Sequence, residues 1–276
     1  MMRLLYIETY KLFRQSSTYY AILALFFIEA VVLLSAYYQG TGIIDIVLAN
    51  LKDTFYFQGK LLNGNLIIYF ILNSFWFHVP LLCMIIVSGM LTTEYQEKTI
   101  QTVLMQPVVK WKYLFAKYIV ASLFTIFLVL LLAFTSFMLS YGIFGKGDLV
   151  VYTNGLTFFE HDDAFNRLVY AFLFGTLSLV FFSVVSLTLA VLLKESFKTW
   201  IVAALFLIVS TLLLKIDLGN EVWNQIAFFK LNNTWQYFFN HDIEWDTIII
   251  NSVLMGLYIL VTMLVGLFLF QKKDIG

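Results

Sequence analysis

The most informative polar stretch of the chain is TTEYQEKTIQTVLMQPVVKWK, which runs from Thr92 to Lys112. It is a polar, charged segment between two long apolar runs, and we call it the central loop. A Glu, a Thr, an apolar pair, a Pro and a Lys follow one another in it at short offsets: Glu97, Thr99, Val103-Leu104, Pro107, Lys110. The apolar runs on either side predict a membrane-embedded chain that holds this loop at a surface.

The composition supports the membrane class. Of the 276 residues, 61% are hydrophobic, 18% aromatic and 12% charged. Soluble domains have roughly 45–50% apolar and about 25% charged residues. The formal net charge is zero, so nothing favours a nucleic-acid partner. The one cysteine, Cys83, cannot form a disulfide within the chain.

Six apolar runs are long enough to cross a bilayer, for which a helix needs about 20 residues. They are approximately Tyr19–Tyr38, Leu66–Leu91, Tyr113–Ser140, Leu168–Leu193, Thr199–Ile216 and Thr247–Phe270. The runs are continuous rather than alternating, and backbone groups in lipid must be paired within their own segment. We therefore expect an all-α integral membrane protein with six transmembrane helices, and one transmembrane domain over residues 1–276.

Lysine and arginine predict the orientation of these spans. Six spans put both termini and the central loop on one side, which carries eleven basic residues against five acids. The other side carries six basic residues against eleven acids. Since the cytoplasmic side is enriched in Lys and Arg, we expect cytoplasmic termini and a cytoplasmic central loop.

Two further segments have patterns of their own. Residues 3–14 fit a helix with Arg3, Glu8, Lys11 and Arg14 on one face, and residues 1–18 are typical of an interfacial helix; the alternative is a simple extension of the first span. In the outer loop 217–246, aromatic clusters too short to span favour a re-entrant hairpin or interfacial helices.

The central loop contains helix signals. Thr93 and Gln96 fit a capping box at a helix start, and Glu94 and Lys98 fit an i, i+4 ion pair. The apolar residues Ile100, Val103 and Leu104 share one face, and Pro107 ends the helix. A short surface helix with an apolar stripe suits docking into a groove of a soluble partner.

Three patterns now carry a family resemblance. They are Glu97-x-Thr99-Ile100…Val103-Leu104-x-x-Pro107-Val108-x-Lys110, the N-terminal Glu8-x-x-Lys11-Leu12-Phe13-Arg14, and the tail Phe270-Gln271-Lys272-Lys273-Asp274-Ile275. Together with six spans and cytoplasmic termini, they resemble the permease subunits of ABC exporters of the ABC-2 type. The resemblance extends over the whole chain.

The resemblance implies a role and partners. Residues 1–18 would be the family's elbow helix and residues 92–112 its cytoplasmic coupling loop, in the cytoplasmic (inner) membrane of a bacterium. The permease would form the pathway as a dimer with a second copy or a paralogue, among membrane lipids, and would couple to two copies of a separate ATPase subunit. The implied ATPase contacts are Glu94, Glu97, Lys98, Thr99, Gln101, Val103, Leu104 and Pro107.

The sequence itself argues against an ATPase site in this chain. No G-x-x-x-x-G-K-[ST] motif occurs; Gly59-Lys60 lacks both the first Gly and the Ser or Thr. A P-loop needs that Lys and its backbone amides to hold phosphates. We therefore expect no nucleotide-binding domain and no cofactor bound by this chain, with ATP and Mg on the partner.

Polar residues inside the spans are candidates for lining the pathway: Glu29, Asn73 and His78. A charged side chain at bilayer depth costs about 2.5–3.5 kcal/mol on insertion scales, so Glu29 must be paired, hydrogen-bonded or protonated. Glu29 and His78 reach similar depth along their runs. One hypothesis pairs them; the alternative satisfies each separately, with Glu29 protonated or hydrogen-bonded and His78 neutral on a backbone carbonyl.

Enzymatic readings are weak. The spacing of Ser74 and His78 permits a nucleophile pair, but no third orienting group is evident. The acids Glu160, Asp162 and Asp163 could bind a divalent cation, although a solvated loop is the simpler interpretation. The remaining alternatives to a permease are a non-transporting membrane component of a surface or motility complex that uses the same ATPase docking, and a secondary carrier.

Overall fold

A computed structural model of the chain describes residues 1–47, 62–105, 109–152 and 156–272. Its elements are, in chain order, α1 Met2–Arg14, α2 Ser16–Val47, α3 Gly64–Gln96, α4 Thr99–Met105, α5 Lys110–Phe144, β1 Leu149–Tyr152, β2 Leu156–Phe159, α6 His161–Leu193, α7 Ser196–Leu213, α8 Glu221–Ile226, α9 Phe228–Leu231, a 3-10 helix Thr234–Phe239 and α10 Trp245–Lys272. The helices α2, α3, α5, α6, α7 and α10 are long and apolar enough to cross a membrane. The predicted all-α membrane fold with six spans is confirmed.

Helix α6 lies at the centre of the bundle, packed on α3, α5, α7 and α10. Its small and hydroxyl-bearing residues permit close helix contacts. Ser183 Oγ lies 2.7 Å from Thr125 Oγ1 of α5, and Ser186 Oγ donates to the Met84 carbonyl of α3 at 2.5 Å. Both serines are fully buried. These hydrogen bonds satisfy polar groups that lipid could not satisfy.

The start of α2, the loop from α3 to α5 and the end of α10 lie at one end of the bundle. Tyr113, at the start of α5, packs its ring 6.3 Å from that of Phe270 near the end of α10. Ser196 at the start of α7 donates to Thr92 Oγ1 at 2.8 Å. We call this the α4 end, and the opposite one the hairpin end.

An antiparallel hairpin of β1 and β2 marks the hairpin end, with Leu149 opposite Phe159 and Val151 opposite Thr157. The sequence carries no strand signal for this segment, because its four-residue β-branched and aromatic stretches are too short to establish a period. Asn65 of α3 donates to the Gly147 carbonyl at 2.7 Å and accepts from Tyr141 Oη at 2.6 Å. The hairpin is thereby fastened to α3 and α5.

The segment between α7 and α10 forms α8, α9 and the 3-10 helix, which packs on α6 and α10. Trp235, Phe238 and Phe239 of the 3-10 helix are at most 1% exposed. Arg167 of α6 holds the segment, donating through Nη1 to the carbonyls of Phe238 at 2.8 Å and Asn240 at 2.7 Å. Whether this segment is re-entrant in the membrane stays a prediction.

Candidate functional site

A break between α3 and α4 forms the central loop. Helix α3 continues to Gln96, and Lys98 has φ 57°, in the left-handed region. That conformation costs a residue with a side chain about 1–2 kcal/mol. The chain turns at Lys98, and α4 runs from Thr99 to Met105 with Ile100 buried. The strained turn therefore separates a short helix from the spanning one.

Two sequence predictions for this loop are wrong. The Thr93–Gln96 pair does not cap a new helix, because both residues lie in the last turns of α3. Glu94 and Lys98 do not pair, because the helix ends between them and the Glu94 carboxylate meets Lys11 and Lys117 instead. The separate helix α4 begins only at Thr99. The apolar run of α3 and its favourable packing extend that helix into the charged stretch.

Four charged side chains from three helices meet beneath the loop, and we call Glu8, Lys11, Glu94 and Lys117 the charge cluster. Lys117 Nζ of α5 lies 2.5 Å from Glu8 Oε2 of α1 and 3.1 Å from Glu94 Oε2 of α3. Lys11 Nζ lies 2.8 Å from Glu94 Oε1 and 3.2 Å from Glu8 Oε1. Each lysine thus bridges both carboxylates, and the formal charges balance.

The charge cluster is largely removed from solvent. Lys117 is 0% and Glu8 3% exposed. The Lys117 ammonium also donates to the Met90 carbonyl at 2.8 Å, in addition to its hydrogen bond to Glu8 and its ion pair with Glu94. Tyr113 Oη donates to Glu94. A buried ion pair is tolerated only when such further hydrogen bonds offset desolvation, and this cluster meets that condition.

Lys11 closes the cluster on its open side. Burial by itself would lower the pKa of Lys11, but the hydrogen bond and charge of Glu94, joined by Glu8, outweigh burial and raise it. Lys11 therefore stays charged, and α1 remains tied to the end of α3.

A groove with a volume of about 590 Å³ opens beside the cluster, between α1 and the α3–α4 turn. Its walls include Tyr10 and Arg14 on α1, and Glu97, Thr99 and Val103 on the other side. The groove exposes polar and apolar surface together, which suits contact with a protein partner.

The residues predicted to contact an ATPase differ in their exposure. Glu97, Lys98 and Thr99 are exposed, and Gln101 and Val103 are partly buried. Glu94 is 8% exposed and belongs to the charge cluster. Pro107 lies outside the described residues, as does the side chain of Leu104. The exposed Met105, which is 86% exposed, and Thr102 extend the accessible surface of α4 beyond the residues that the sequence suggested.

Sequence reasoning missed the cluster partners of Glu94. Two features of the sequence pointed to these partners. Glu8 and Lys11 belong to the N-terminal pattern, and Lys117 is a lone cation inside the predicted third span. A cation that enters a span needs a partner, but the partner's identity depends on how α1 folds back on α5.

The hypothesis that Glu29 pairs with His78 is wrong. Glu29 accepts hydrogen bonds from Thr135 Oγ1 at 2.9 Å and Ser136 Oγ at 3.0 Å, both on α5. His78 places Nδ1 2.7 Å from the Ser74 carbonyl. The alternative reading, in which each is satisfied separately, is confirmed, because the two helices turn these side chains in different directions. The same geometry gives no Ser74–His78 nucleophile pair, because the ring contacts the backbone oxygen.

A polar stripe remains exposed on the middle of α3. It consists of Asn73, Ser74, Phe77 and His78. Asn73 Nδ2 donates to the Tyr69 carbonyl at 2.9 Å, one turn back on the same helix. The stripe faces away from the core, so the apolar helix α3 leaves the polar side chains of Asn73, Ser74 and His78 exposed.

The outer acids support no metal site in the described part of the chain. Asp162 and Asp163 lie in the first turn of α6, where carboxylates favour the helix N-terminus. Asp163 Oδ2 accepts from Arg167 Nε at 2.8 Å. No group of three or more His, Cys, Asp or Glu side chains converges among the residues described.

Comparison with known families places this geometry in context. Residues 4–211 match the family model described as ABC-2 family transporter protein. The matched range includes α1 from residue 4 onward, the charge cluster and the central loop. Among curated proteins, none matches the chain.

Proposed function

Because the chain belongs to the ABC-2 family of transporter proteins and is a multi-pass membrane protein, we propose that it is the permease subunit of an ATP-driven exporter. The permease would form the translocation pathway as a dimer. A separate ATPase, two copies per complex, would bind ATP and Mg and dock on the central loop. This chain would then receive force rather than hydrolyse nucleotide.

The exposed surface of the central loop carries the docking proposal. Glu97, Lys98, Thr99, Thr102 and Met105 present mixed polar and apolar surface at the α4 end. In protein–protein interfaces, a few anchor residues contribute most of the binding energy. Glu97 is the charged anchor that we expect to face the ATPase, and Met105 the apolar one.

The charge cluster supports a route for the movement. Glu94 lies three residues before Glu97 and is bridged by Lys11 to α1 and by Lys117 to α5. A displacement of the α3–α4 turn would therefore move α1 and the start of α5 with it. The elbow helix and the coupling loop would act as one body.

The polar stripe on α3 supports a dimer with a pathway between its copies. Asn73 and His78 are exposed in one copy, and polar groups in spans face a bundle interior or a water-filled cavity. A second copy or a paralogue would cover this face. Asn73 and His78 are thus proposed to line the pathway, whereas Glu29 is turned toward α5.

Orientation and location follow as proposals from charge and family. Arg3, Arg14, Lys98 and Lys110 lie at or near the α4 end, which favours a cytoplasmic position for this end. We propose the inner membrane of a bacterium, with both termini in the cytoplasm.

Co-purification tests the docking proposal. The chain is co-expressed with ABC ATPases encoded by neighbouring genes, and binding and ATPase stimulation are measured for the wild type, Glu97→Lys and Met105→Asp. Lys146→Glu, exposed at the hairpin end, is the matched control. We expect both α4-end variants to lose the ATPase while the control keeps it. Full binding and stimulation in both variants would contradict docking here, and the absence of any ATPase partner would favour a secondary carrier.

Transport separates the exporter from the remaining alternative. Loading of inside-out vesicles that contain the permease–ATPase complex is followed over a panel of amphipathic compounds. ATP-dependent uptake into such vesicles is the expected result. An ATPase-bound complex that moves no compound would favour the non-transporting membrane component.

A further inference from the structure

Helix α2 meets the rest of the bundle along one narrow stripe. In the part of α2 whose side chains the structure describes, residues 16–40, seven residues are buried at spacings of three and four: Thr18, Ala21, Leu25, Glu29, Leu33, Ala36 and Gly40. The other positions in this range are partly or fully exposed. Apart from Thr18 at its start, the stripe is apolar or small except for Glu29, which is 1% exposed. A carboxyl group therefore lies in the middle of the seam that holds the first span.

Two neighbouring hydroxyls of α5 meet this carboxyl. Ser136 Oγ lies 3.0 Å from Glu29 Oε1, and Thr135 Oγ1 lies 2.9 Å from Glu29 Oε2. Thr135 Oγ1 also lies 3.1 Å from the carbonyls of Leu131 and Leu132 in its own helix. A hydroxyl has one proton, so Thr135 cannot donate fully both to Glu29 and to its own backbone.

Among the residues that the structure describes, no cation lies against this carboxyl group. None of the ion pairs in the described part of the chain involves Glu29. The groups facing it from α5 are hydroxyls. On α3, Glu94 pairs with Lys11 and Lys117, and His78 contacts the Ser74 carbonyl, so neither side chain pairs with Glu29. An ionised carboxylate in this position would have two hydroxyl donors and no counter-charge within the bilayer.

A protonated carboxyl completes the network. Its O–H donates to Thr135 Oγ1, Thr135 donates to the Leu131 carbonyl, and Ser136 donates to the other carboxyl oxygen. Every polar proton then has an acceptor, which is the condition that buried polar groups meet. We propose that Glu29 carries a proton and, in that form, is the positioning residue that fastens the first span to the third.

We call the hydrogen bonds between Glu29 and α5 the clamp. They would fix the position of the first span against the bundle. The other face of α2 is exposed, with Tyr20, Leu23 and Phe27 each more than 60% exposed. The two hydrogen bonds to α5 are the polar part of a contact made otherwise by small and aliphatic side chains. The inference depends on the chain's own fold, so it holds or fails independently of the proposed ATPase docking.

Infrared spectroscopy tests the proton directly. The difference spectrum of the wild-type protein minus Glu29→Gln is recorded at neutral pH on the full chain in lipid. We expect a carbonyl stretching band of a protonated carboxyl group that shifts in Thr135→Val, because that variant removes the acceptor of the carboxyl proton. A difference spectrum with only carboxylate bands would overturn the proposal.

Thermal unfolding provides a second readout that does not need the spectrum. Gln has the shape and neutral donor–acceptor pattern of a protonated Glu, so Glu29→Gln should keep the wild-type Tm. Glu29→Ala should lower Tm by about 2–4 °C, as expected for a loss near 1 kcal/mol in a chain of this size. Ser35→Ala, on the exposed face of α2, is the control. An equal fall for Gln and Ala would show that the negative charge is required and would contradict the clamp.

Discussion

Lys117 Nζ lies 2.5 Å from Glu8 Oε2, which joins the third span to the N-terminal helix across 109 residues of sequence. Both side chains are at most 3% exposed. The pair is completed by Glu94 and Lys11, so α1, the end of α3 and the start of α5 share one set of charges. Removal of any member leaves the others unbalanced.

Lys117→Met is expected to destabilise the protein strongly. Breaking a buried pair by removing one partner costs about 3–5 kcal/mol, because an uncompensated charge is left behind. Met keeps most of the side-chain volume, so the loss reports charge rather than packing. Thermal unfolding in detergent measures the change.

Lys98→Met is the matched control, because Lys98 is exposed. The double variant Lys117→Met with Glu8→Gln should recover part of the lost stability, since it restores the charge balance. Additive losses in the two single variants and the double variant would contradict a coupled cluster.

Substitutions of Glu94 and Glu97 are expected to have different effects, although only three positions separate the two residues. Glu94→Gln removes a carboxylate held by Lys11 and Lys117 and should lower Tm. Glu97→Gln changes an exposed side chain, and surface substitutions usually change stability by less than about 0.5 kcal/mol. Glu97→Gln should instead weaken ATPase binding at unchanged Tm. The measurement pairs unfolding with co-purification, and a Tm loss for Glu97→Gln equal to that for Glu94→Gln would refute the division.

The number and type of the spans followed from composition and run length. The runs predicted as Leu66–Leu91 and Thr247–Phe270 correspond to α3, Gly64–Gln96, and α10, Trp245–Lys272. The chain must satisfy its backbone within each span, so a long apolar run leaves little freedom. Helix ends were less certain: α3 runs five residues past Leu91 into polar sequence, because Thr92 and Glu94 find partners there.

The contacts between distant segments could not be derived in the same way. Helical periodicity placed Glu8 and Lys11 on a polar face, which alone predicts solvent or headgroups. In the fold, Glu8 is buried like Leu12, and its carboxylate pairs with Lys117 of α5. The similar depth of Glu29 and His78 along their spans likewise suggested that they pair. The rotation of α2 about its axis instead turns Glu29 toward Thr135 and Ser136. Pairing depends on helix rotation, which one sequence does not encode locally.

Arg167→Lys is expected to loosen the segment between α7 and α10. The Arg167 guanidinium donates to the carbonyls of Phe238, Asn240 and His241 and to Asp163. A lysine has one nitrogen and cannot reproduce that planar fork. Hydrogen exchange of residues 234–241 should therefore become faster.

Lys146→Gln is the control for this experiment, because Lys146 is exposed at the hairpin end. Exchange in α5 should be unchanged in both variants. If Arg167→Lys left the exchange of residues 234–241 at the wild-type rate, the segment would be held by its buried aromatic side chains alone.

Gly175→Ala, a substitution in the spanning helix α6, is expected to disturb the segment between α7 and α10 as well. A Cβ at Gly175 of α6 would lie 1.9 Å from Cη2 of Trp76, so the indole must move. Trp76 Nε1 donates to the Asn232 carbonyl at 3.1 Å, and its ring packs 4.9 Å from that of Trp235. Overpacking of this kind costs about 1–3 kcal/mol.

Gly256→Ala on α10, whose Cβ would meet nothing within 4 Å, is the control. It should leave Tm unchanged or raise it, since Ala favours a helix over Gly by about 1 kcal/mol. Adding Trp76→Phe to Gly175→Ala should restore part of the loss, because the smaller ring vacates the overlapping position. If Gly175→Ala were as stable as the wild type, α6 and α3 would have to pack less closely than the structure has them.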